Sequence, residues 1–257
     1  MNIYQHYRPE EHPWVDLILS WQEEVGTTYQ RKRSDFLNPR EQWIFQSVIG
    51  KHSDFKWELF GGHPESERKR AILAPFYEEI QMKDFGLKLL RASYPTKFMD
   101  IGHRDVLGSF MSLGIKRSKL GDLFVQDGMI QIMIDEDISS YVQMNLTKMK
   151  NASVSFQEIA LTEIKKSDEK WLENEGTVSS PRLDAILKEI YRLSRSKASE
   201  AITRGMIKVN HQLVEDPSFI IQEGDILSFR GKGRAKMDNF HGVTKKDKHR
   251  FSYKTLK

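Results

Sequence analysis

The chain has 257 residues, 39% of them apolar, 30% charged and 11% aromatic, with a formal net charge of +4. That mix fits a globular protein of one large domain or two to three small ones and is too apolar for a disordered chain. No run approaches the roughly 18 uninterrupted apolar residues of a membrane span, and Met1 to His6 shows no apolar core of a secretory signal. The absence of cysteine excludes disulfides, thiolate metal sites and cysteine nucleophiles. A cytoplasmic protein with no membrane partner is expected.

Charge is unevenly spread. Residues 181–257 hold 17 Lys and Arg against 9 Asp and Glu, a balance of +8, whereas residues 1–180 hold 23 against 27, a balance of −4. Such asymmetry is the electrostatic footprint of a polyanion-binding module joined to something else.

From residue 1 to about 83 helical signals lead, with Trp14, Leu17, Ile18 and Trp21 at one-face spacing. Asn38-Pro39-Arg40-Glu41 reads as an N-cap with proline in the first turn, opening a helix through Ile49. Two strands, Trp57–Phe60 and Ala71–Phe76, flank a turn at Gly61-Gly62-His63-Pro64.

Residues 84–162 read strand, helix, strand, strand, helix, strand. The strands are Gly86–Ala92, Asp122–Gln126, Met129–Ile134 and Ser153–Ile159; the helices are Arg104–Leu113 and Ile138–Met149. Asp127-Gly128 is a two-residue hairpin signal. This βαββαβ order is the ferredoxin-like arrangement shared with RNA-recognition motifs. Those motifs stack bases on exposed aromatics, and neither Met129–Ile134 nor Leu87–Ala92 contains one, so the usual platform is missing. The charged stretch Glu163 to Ser180 has a linker's composition.

In the last third, Leu183, Ile186, Leu187 and Ile190 fall on one helix face. Ser194 or Ser196 can cap a second helix, whose Ala198, Ala201 and Ile202 permit close packing. Gly205 sits where a helix-ending glycine belongs. Strands follow at Ile207–Asn210 and Ile226–Arg230, the second after a Gly224-Asp225 turn and running out in Gly231-Lys232-Gly233-Arg234. A basic tail is expected from His241 to Lys257. Lys197 and Arg204, seven apart, share a helix face. Arg195 lies at that helix's N-terminus, where backbone N–H groups favour phosphate. With Arg182 and Lys208 they would present cations to a folded RNA backbone without needing base edges. The expected RNA-contact set is Arg182, Ser194, Arg195, Ser196, Lys197, Arg204, Lys208, Asn210, Arg230, Lys232 and Arg234.

Arg182-Leu183-Asp184, Ser194-Arg195-Ser196-Lys197-Ala198, Ile202, Gly205, Ile207, Val209-Asn210 and Gly224-Asp225 together resemble the S-four RNA-binding domain over about 55 residues. Three further segments resemble the YlmH family: Phe36 to Gln42, Phe60 to Arg70, and His103 to Ser109 with Leu113 to Arg117. The resemblance spans nearly the full length. It implies a non-enzymatic factor that binds rRNA and tRNA on the large ribosomal subunit carrying peptidyl-tRNA, in quality control of stalled chains. It also implies that Arg182 and Arg195 contact RNA backbone. The family's second arginine in the Ser-Arg-Arg segment is Ser196 here, with Lys197 as a substitute charge.

An RNA-modifying enzyme is the rival class, because S-four domains accompany pseudouridine synthases and tyrosyl-tRNA synthetases. Asp184 is the one acid in an Arg-Leu-Asp triplet, yet a helix follows it instead of the strand such a synthase needs. Lys116-Arg117-Ser118-Lys119 lacks the His-containing partner segment of a synthetase. His103-Arg104-Asp105 has Phe110 where a kinase loop requires asparagine. His6, His12, His63 and His103 lack metal-ligand spacing. The expectation is therefore an α+β protein of three parts: an N-terminal α/β domain (1–83), a ferredoxin-like domain (84–162) and an S-four domain with its basic tail (181–257). It is expected to be monomeric, with no catalytic residue, metal or cofactor.

Overall fold

The computed structural model describes residues 3–50, 54–96, 100–165, 171–210, 212–244 and 247–256. The chain divides into two compact units, Met1–Ser167 and Asp168–Lys257.

Unit one opens with α1 (His12–Thr28), β1 (Lys32–Arg33) and α2 (Pro39–Ile49), followed by β2 (Phe55–Phe60) and β3 (Arg70–Pro75). In α1 the buried stripe is Val15, Ile18, Trp21 and Val25. Leu17, expected on that stripe, is 43% exposed; at 100° per residue it lies roughly a quarter turn off the stripe's centre. In α2 the expected cap forms reciprocally. Asn38 Oδ1 accepts the Glu41 N–H at 3.0 Å, and the Glu41 carboxylate accepts the Asn38 N–H at 2.6 Å. Strands β1, β3 and β2 make an antiparallel sheet in that order. Its central strand is buried at every position. Ala71 and Leu73 join Ile18, Val25, Ile44 and Phe45 under the helices, and Ile72 and Ala74 face the other way.

What they face is a second sheet. It is built from β4 (Leu87–Ser93), β5 (Leu120–Gln126), β6 (Met129–Asp135) and, after β7 (Lys148–Met149) and β8 (Ala152–Ser153), from β9 (Gln157–Ile159). The order β5-β6-β4-β9 is the ferredoxin-like one. Asp127 and Gly128 both take positive φ, 51° and 78°, as the tight β5–β6 hairpin demands. Helices α3 (His103–Ser112) and α4 (Ser139–Asn145) cover one face, packing Val106, Phe110 and Val142 against Leu90, Ile130, Ile132 and Ile134. Two expectations are corrected. The second helix stops at Asn145, not Met149, because Lys150 turns left-handed (φ 50°) and pairs β7 with β8 as a small hairpin. The fourth strand is therefore short and begins at Gln157.

The opposite face of this sheet, the one an RNA-recognition motif leaves open, is closed. Leu87, Leu89 and Met133 pack against Phe36, Ile72, Ala74, Ile80 and Phe85, with Phe60 half-buried beside them. The Gly61-Gly62 turn lies so close that a Cβ on Gly62 would stand 2.2 Å from Met133 Cε, and its φ of +96° suits glycine alone.

Ions lock the two sheets together. Buried Arg70 meets the fully buried Asp135 at 3.1 Å, and Lys119 reaches Asp135 at 2.8 Å and Asp35 at 2.7 Å. Burial alone would push the Asp135 carboxyl up, but the Lys119 ammonium and the Arg70 guanidinium outweigh it and hold it below the ordinary range. The Asp122 carboxylate accepts the backbone N–H groups of Glu67 and Arg68 at 2.7 and 2.9 Å. Desolvation nevertheless pushes its pKa up to about 6. Removing one member of a buried pair strands its partner in low dielectric. Asp135→Ala is therefore expected to destabilise unit one by about 3–5 kcal/mol in urea unfolding, with Arg70→Ala similar and the double variant milder than the sum of the two.

Candidate nucleic-acid interface

Unit two contains β10 (Trp171–Val178), α5 (Leu183–Tyr191), α6 (Arg195–Thr203), β11 (Ile207–Val209), β12 (Gln212–Leu213), β13 (Ile226–Phe229), β14 (Gly233–Val243) and β15 (His249–Leu256). Among the described residues its strands form one antiparallel sheet in the order β10-β15-β14-β13-β11-β12. Three expectations change here. The presumed linker supplies β10, which pairs with β15 along its whole length; residues 166–170 of that stretch lie outside the described residues. The presumed tail is a strand with Phe251 and Tyr253 in the core, while Lys245, Lys246 and Lys257 lie outside the described residues. The strand from Ile226 ends at Phe229, about where expected, but Gly231-Lys232 then turns the chain into the long β14, which takes in Gly233 and Arg234.

The helix pair forms as the apolar spacing requires. Leu183, Ile186 and Leu187 of α5 are buried against Ala198, Ala201 and Ile202 of α6, and Gly205 closes α6 with φ +66°. Ser194 is the cap, its Oγ accepting the Lys197 N–H at 3.3 Å, and Ser196 Oγ lies 3.1 Å from it. At the start of α5, the N–H groups of Leu183 and Asp184 donate to the carbonyls of Phe219 and Pro217, at 2.8 and 3.1 Å.

One carboxylate organises the cations here. Asp184 is 2% exposed. It accepts Arg182 Nε at 3.1 Å, Arg182 Nη2 at 3.2 Å and Arg195 Nε at 3.0 Å. Burial raises its carboxyl pKa, but the two guanidiniums lower it further, leaving it below the ordinary range. Two arginines, one just before α5 and one at the start of α6, are thus brought to one point, and 60% of the Arg195 side chain stays open to solvent. Charge-assisted, forked donors of this kind suit phosphate oxygens. Asp184, read in the sequence as part of the Arg182-Leu183-Asp184 triplet of the S-four resemblance and weighed as a catalytic acid, joins the two arginines; its signal was its position two residues after Arg182.

The expected residues fall into two groups. Arg182, Ser194, Arg195, Ser196 and Lys197 gather at the N-terminal ends of the helices. Lys208, Arg230, Lys232 and Arg234 lie on β11 and around the β13–β14 turn, where the Arg230 N–H donates to the Met206 carbonyl at 3.0 Å. Arg204 caps the far end of α6 and pairs with Glu200 at 2.8 Å. Asn210 belongs to neither group. Its Nδ2 donates to buried Asp225 at 2.7 Å and its Oδ1 accepts the Ile226 N–H at 2.9 Å, with φ at +49°. The structure gives it the task of locking a turn, and we withdraw it from the RNA-contact set.

Among the described residues no group of His, Asp or Glu could hold a metal ion, and no helix is long and apolar enough to cross a membrane.

A helix pair backed by this sheet, with cations mustered at the helix ends, defines the terminal unit as an S4 domain, and residues 181–227 match that domain's family model. Residues 10–78 match the model "YlmH, N-terminal" and residues 81–163 match "Putative RNA-binding domain in YlmH". The chain is 39% identical to the Ribosome-associated protein quality control protein P2 of Bacillus subtilis (strain 168), covering 100% of this chain and 99% of that one. It belongs to the YlmH family. Among solved structures it is similar to the Cell division protein ylmH from Streptococcus pneumoniae, at 27% identity and a TM-score of 0.55 over 63% of this chain and 98% of that one.

Replacing Asp184 by Asn should cost unit two about 1–3 kcal/mol in urea unfolding at neutral pH, the range for a lost charged hydrogen bond. A depressed folded-state pKa stabilises above the unfolded value of about 3.9 and is lost as pH falls through the folded value. The gap between wild type and Asp184→Asn should accordingly close on acidification.

Proposed function

We propose that this protein is a non-catalytic RNA-binding factor that docks through its S4 domain on the large ribosomal subunit carrying peptidyl-tRNA. There it contacts rRNA and tRNA backbone as a cytoplasmic monomer and takes part in quality control of stalled chains. The observation that carries this reading is the joining of Arg182 and Arg195 by buried Asp184, beside the Ser194–Ser196 pair at the head of α6. Full-length similarity to a relative named for ribosome-associated quality control supports the destination.

The middle domain is the weaker candidate for the main RNA contact. A base-stacking sheet needs exposed aromatics, whereas here Leu89 and Met133 are buried beneath the N-terminal layer. The catalytic alternative would need Asp184 accessible to a flipped nucleotide. Its carboxylate is instead buried and already accepts three N–H groups.

Neutralising about four to six phosphates gives log K against log salt a slope of roughly −3 to −5. Binding of the full chain to purified large subunits, measured across a salt series, should show it; a flat response would sink the electrostatic account. Arg195→Ala should weaken co-sedimentation with those subunits by about 1–3 kcal/mol, and unchanged co-sedimentation would remove Arg195 from the site. Mass mapping of rRNA and tRNA from a deletion strain should find every modification in place; one that disappears and also depends on Asp184 would favour catalysis.

A further inference from the structure

The sheet of unit two has a second face, turned away from α5 and α6. Ala235, Met237, Phe251 and Tyr253 enter the helix-covered core, so their strand neighbours Arg234, Lys236, Ser252 and Lys254 lie on the other side. Strand register aligns them. Lys208 pairs with Ser228 and Ser228 with Arg234; the pairing of Ala235 with Thr255 sets Arg234 beside Leu256, and Leu256 pairs with Trp171. One row across five strands therefore reads Lys208, Ser228, Arg234, Leu256, Trp171. At about 4.8 Å per strand it spans roughly 19 Å. The Arg234 guanidinium lies 5.9 Å from the Trp171 ring centroid. The next row holds Ile226, Lys236, Lys254 and Glu173.

Charge on this face is lopsided, with Glu173 and exposed Glu175 at its β10 edge and cations toward β11. Lys254 is neutralised by Glu173 at 2.9 Å and Asp238 at 3.9 Å. Lys208 and Lys236 have no ion-pair partner among the described residues, and the β13–β14 turn at the edge carries exposed Arg230 and, over the core-side Phe229 ring, Lys232. A band of cations thus runs from β11 to β14 and leads to an indole that already carries a guanidinium. That is the composition of a surface for single-stranded nucleic acid, where cations follow the backbone and an aromatic ring stacks a base. A duplex would offer phosphates but no free base face, and an acidic peptide would leave the indole unused.

We propose that this face is a second RNA contact that takes an unpaired nucleotide. Its base stacks with Trp171 and Arg234, and its flanking phosphates lie on Lys208 and Lys236. The proposal rests on the RNA-binding reading of unit two and extends it to β10, β14 and β15, all outside the segment that matches the S4 family model.

Trp171 is the one tryptophan after residue 57, so stacking has its own optical signal. The full-length protein is titrated with an unstructured RNA of about 12 nucleotides and, separately, with a blunt RNA duplex. The single strand should quench intrinsic fluorescence in the wild type and not in Trp171→Leu, and the duplex should not. Lys208→Glu combined with Lys236→Glu should weaken single-strand binding about ten-fold with an unchanged thermal midpoint, which keeps the test valid if Trp171→Leu fails to fold. Quenching that persists in Trp171→Leu, or equal quenching by the duplex, overturns the stacked base. Undiminished binding in the double charge reversal, with a loss in Arg195→Glu, overturns the second face and leaves the helix-end site standing. The converse pattern supports the second face and removes the helix-end site, and no binding of either RNA overturns both.

Discussion

The terminal unit depends on one buried carboxylate. Asp184 sits two residues into α5, nearly without solvent, and could not stay ionised there alone. Arg182 and Arg195 meet that need, and in doing so they are drawn from the starts of α5 and α6 to one point. Under the proposed function, the satisfaction of a buried charge and the assembly of a phosphate-reading site are the same set of contacts. Side chains as long as arginine's otherwise lose considerable rotamer freedom on binding; here part of that ordering occurs during folding. Arg195 nonetheless keeps most of its side chain in water, where an RNA backbone can reach it.

Unit one follows the opposite logic. Its ferredoxin-like sheet has the strand order of an RNA-recognition motif, but the face such motifs open to bases is occupied by Phe36, Ile72, Ala74 and Phe85 and tied down by Arg70, Asp135 and Lys119. Fold likeness thus carries no functional likeness at that surface. The Phe60–Arg70 segment, one of those that mark the family resemblance, is the part laid across the sheet, and Gly62 is glycine because its φ of +96° is one that other residues rarely adopt. Under the proposed function, unit one contributes surfaces other than its sheet face.

Much of this was legible in the sequence wherever local chemistry decides structure. The Asn38–Glu41 cap, the Asp127-Gly128 hairpin, the apolar stripe of α5 and the Gly205 helix end rest on short-range rules, and each formed. The failures lie where a partner distant in sequence decides. Residues 171–178 show no apolar alternation, because the core-facing positions of β10 include Asn174 and Gly176. Gly176 is required by Phe251, whose ring would stand 2.8 Å from an added Cβ. The same long-range pairing turned a basic tail into β15. Of the candidate site, the cations were legible as a set from their charge. That Asp184 joins two of them, that Asn210 locks a turn and that Trp171 lies in a row with Arg234 required the tertiary fold.

Under the proposed function, RNA meets the Asp184-organised end of the S4 helix pair and not the middle sheet. The most direct measurement is a cryo-EM map of the full-length protein on large ribosomal subunits carrying peptidyl-tRNA. The account predicts RNA backbone density against Arg182 and Arg195, with Leu89 and Met133 still covered by protein. RNA bases stacked on the β4–β6 face, or an α5–α6 end turned away from all RNA, would contradict it.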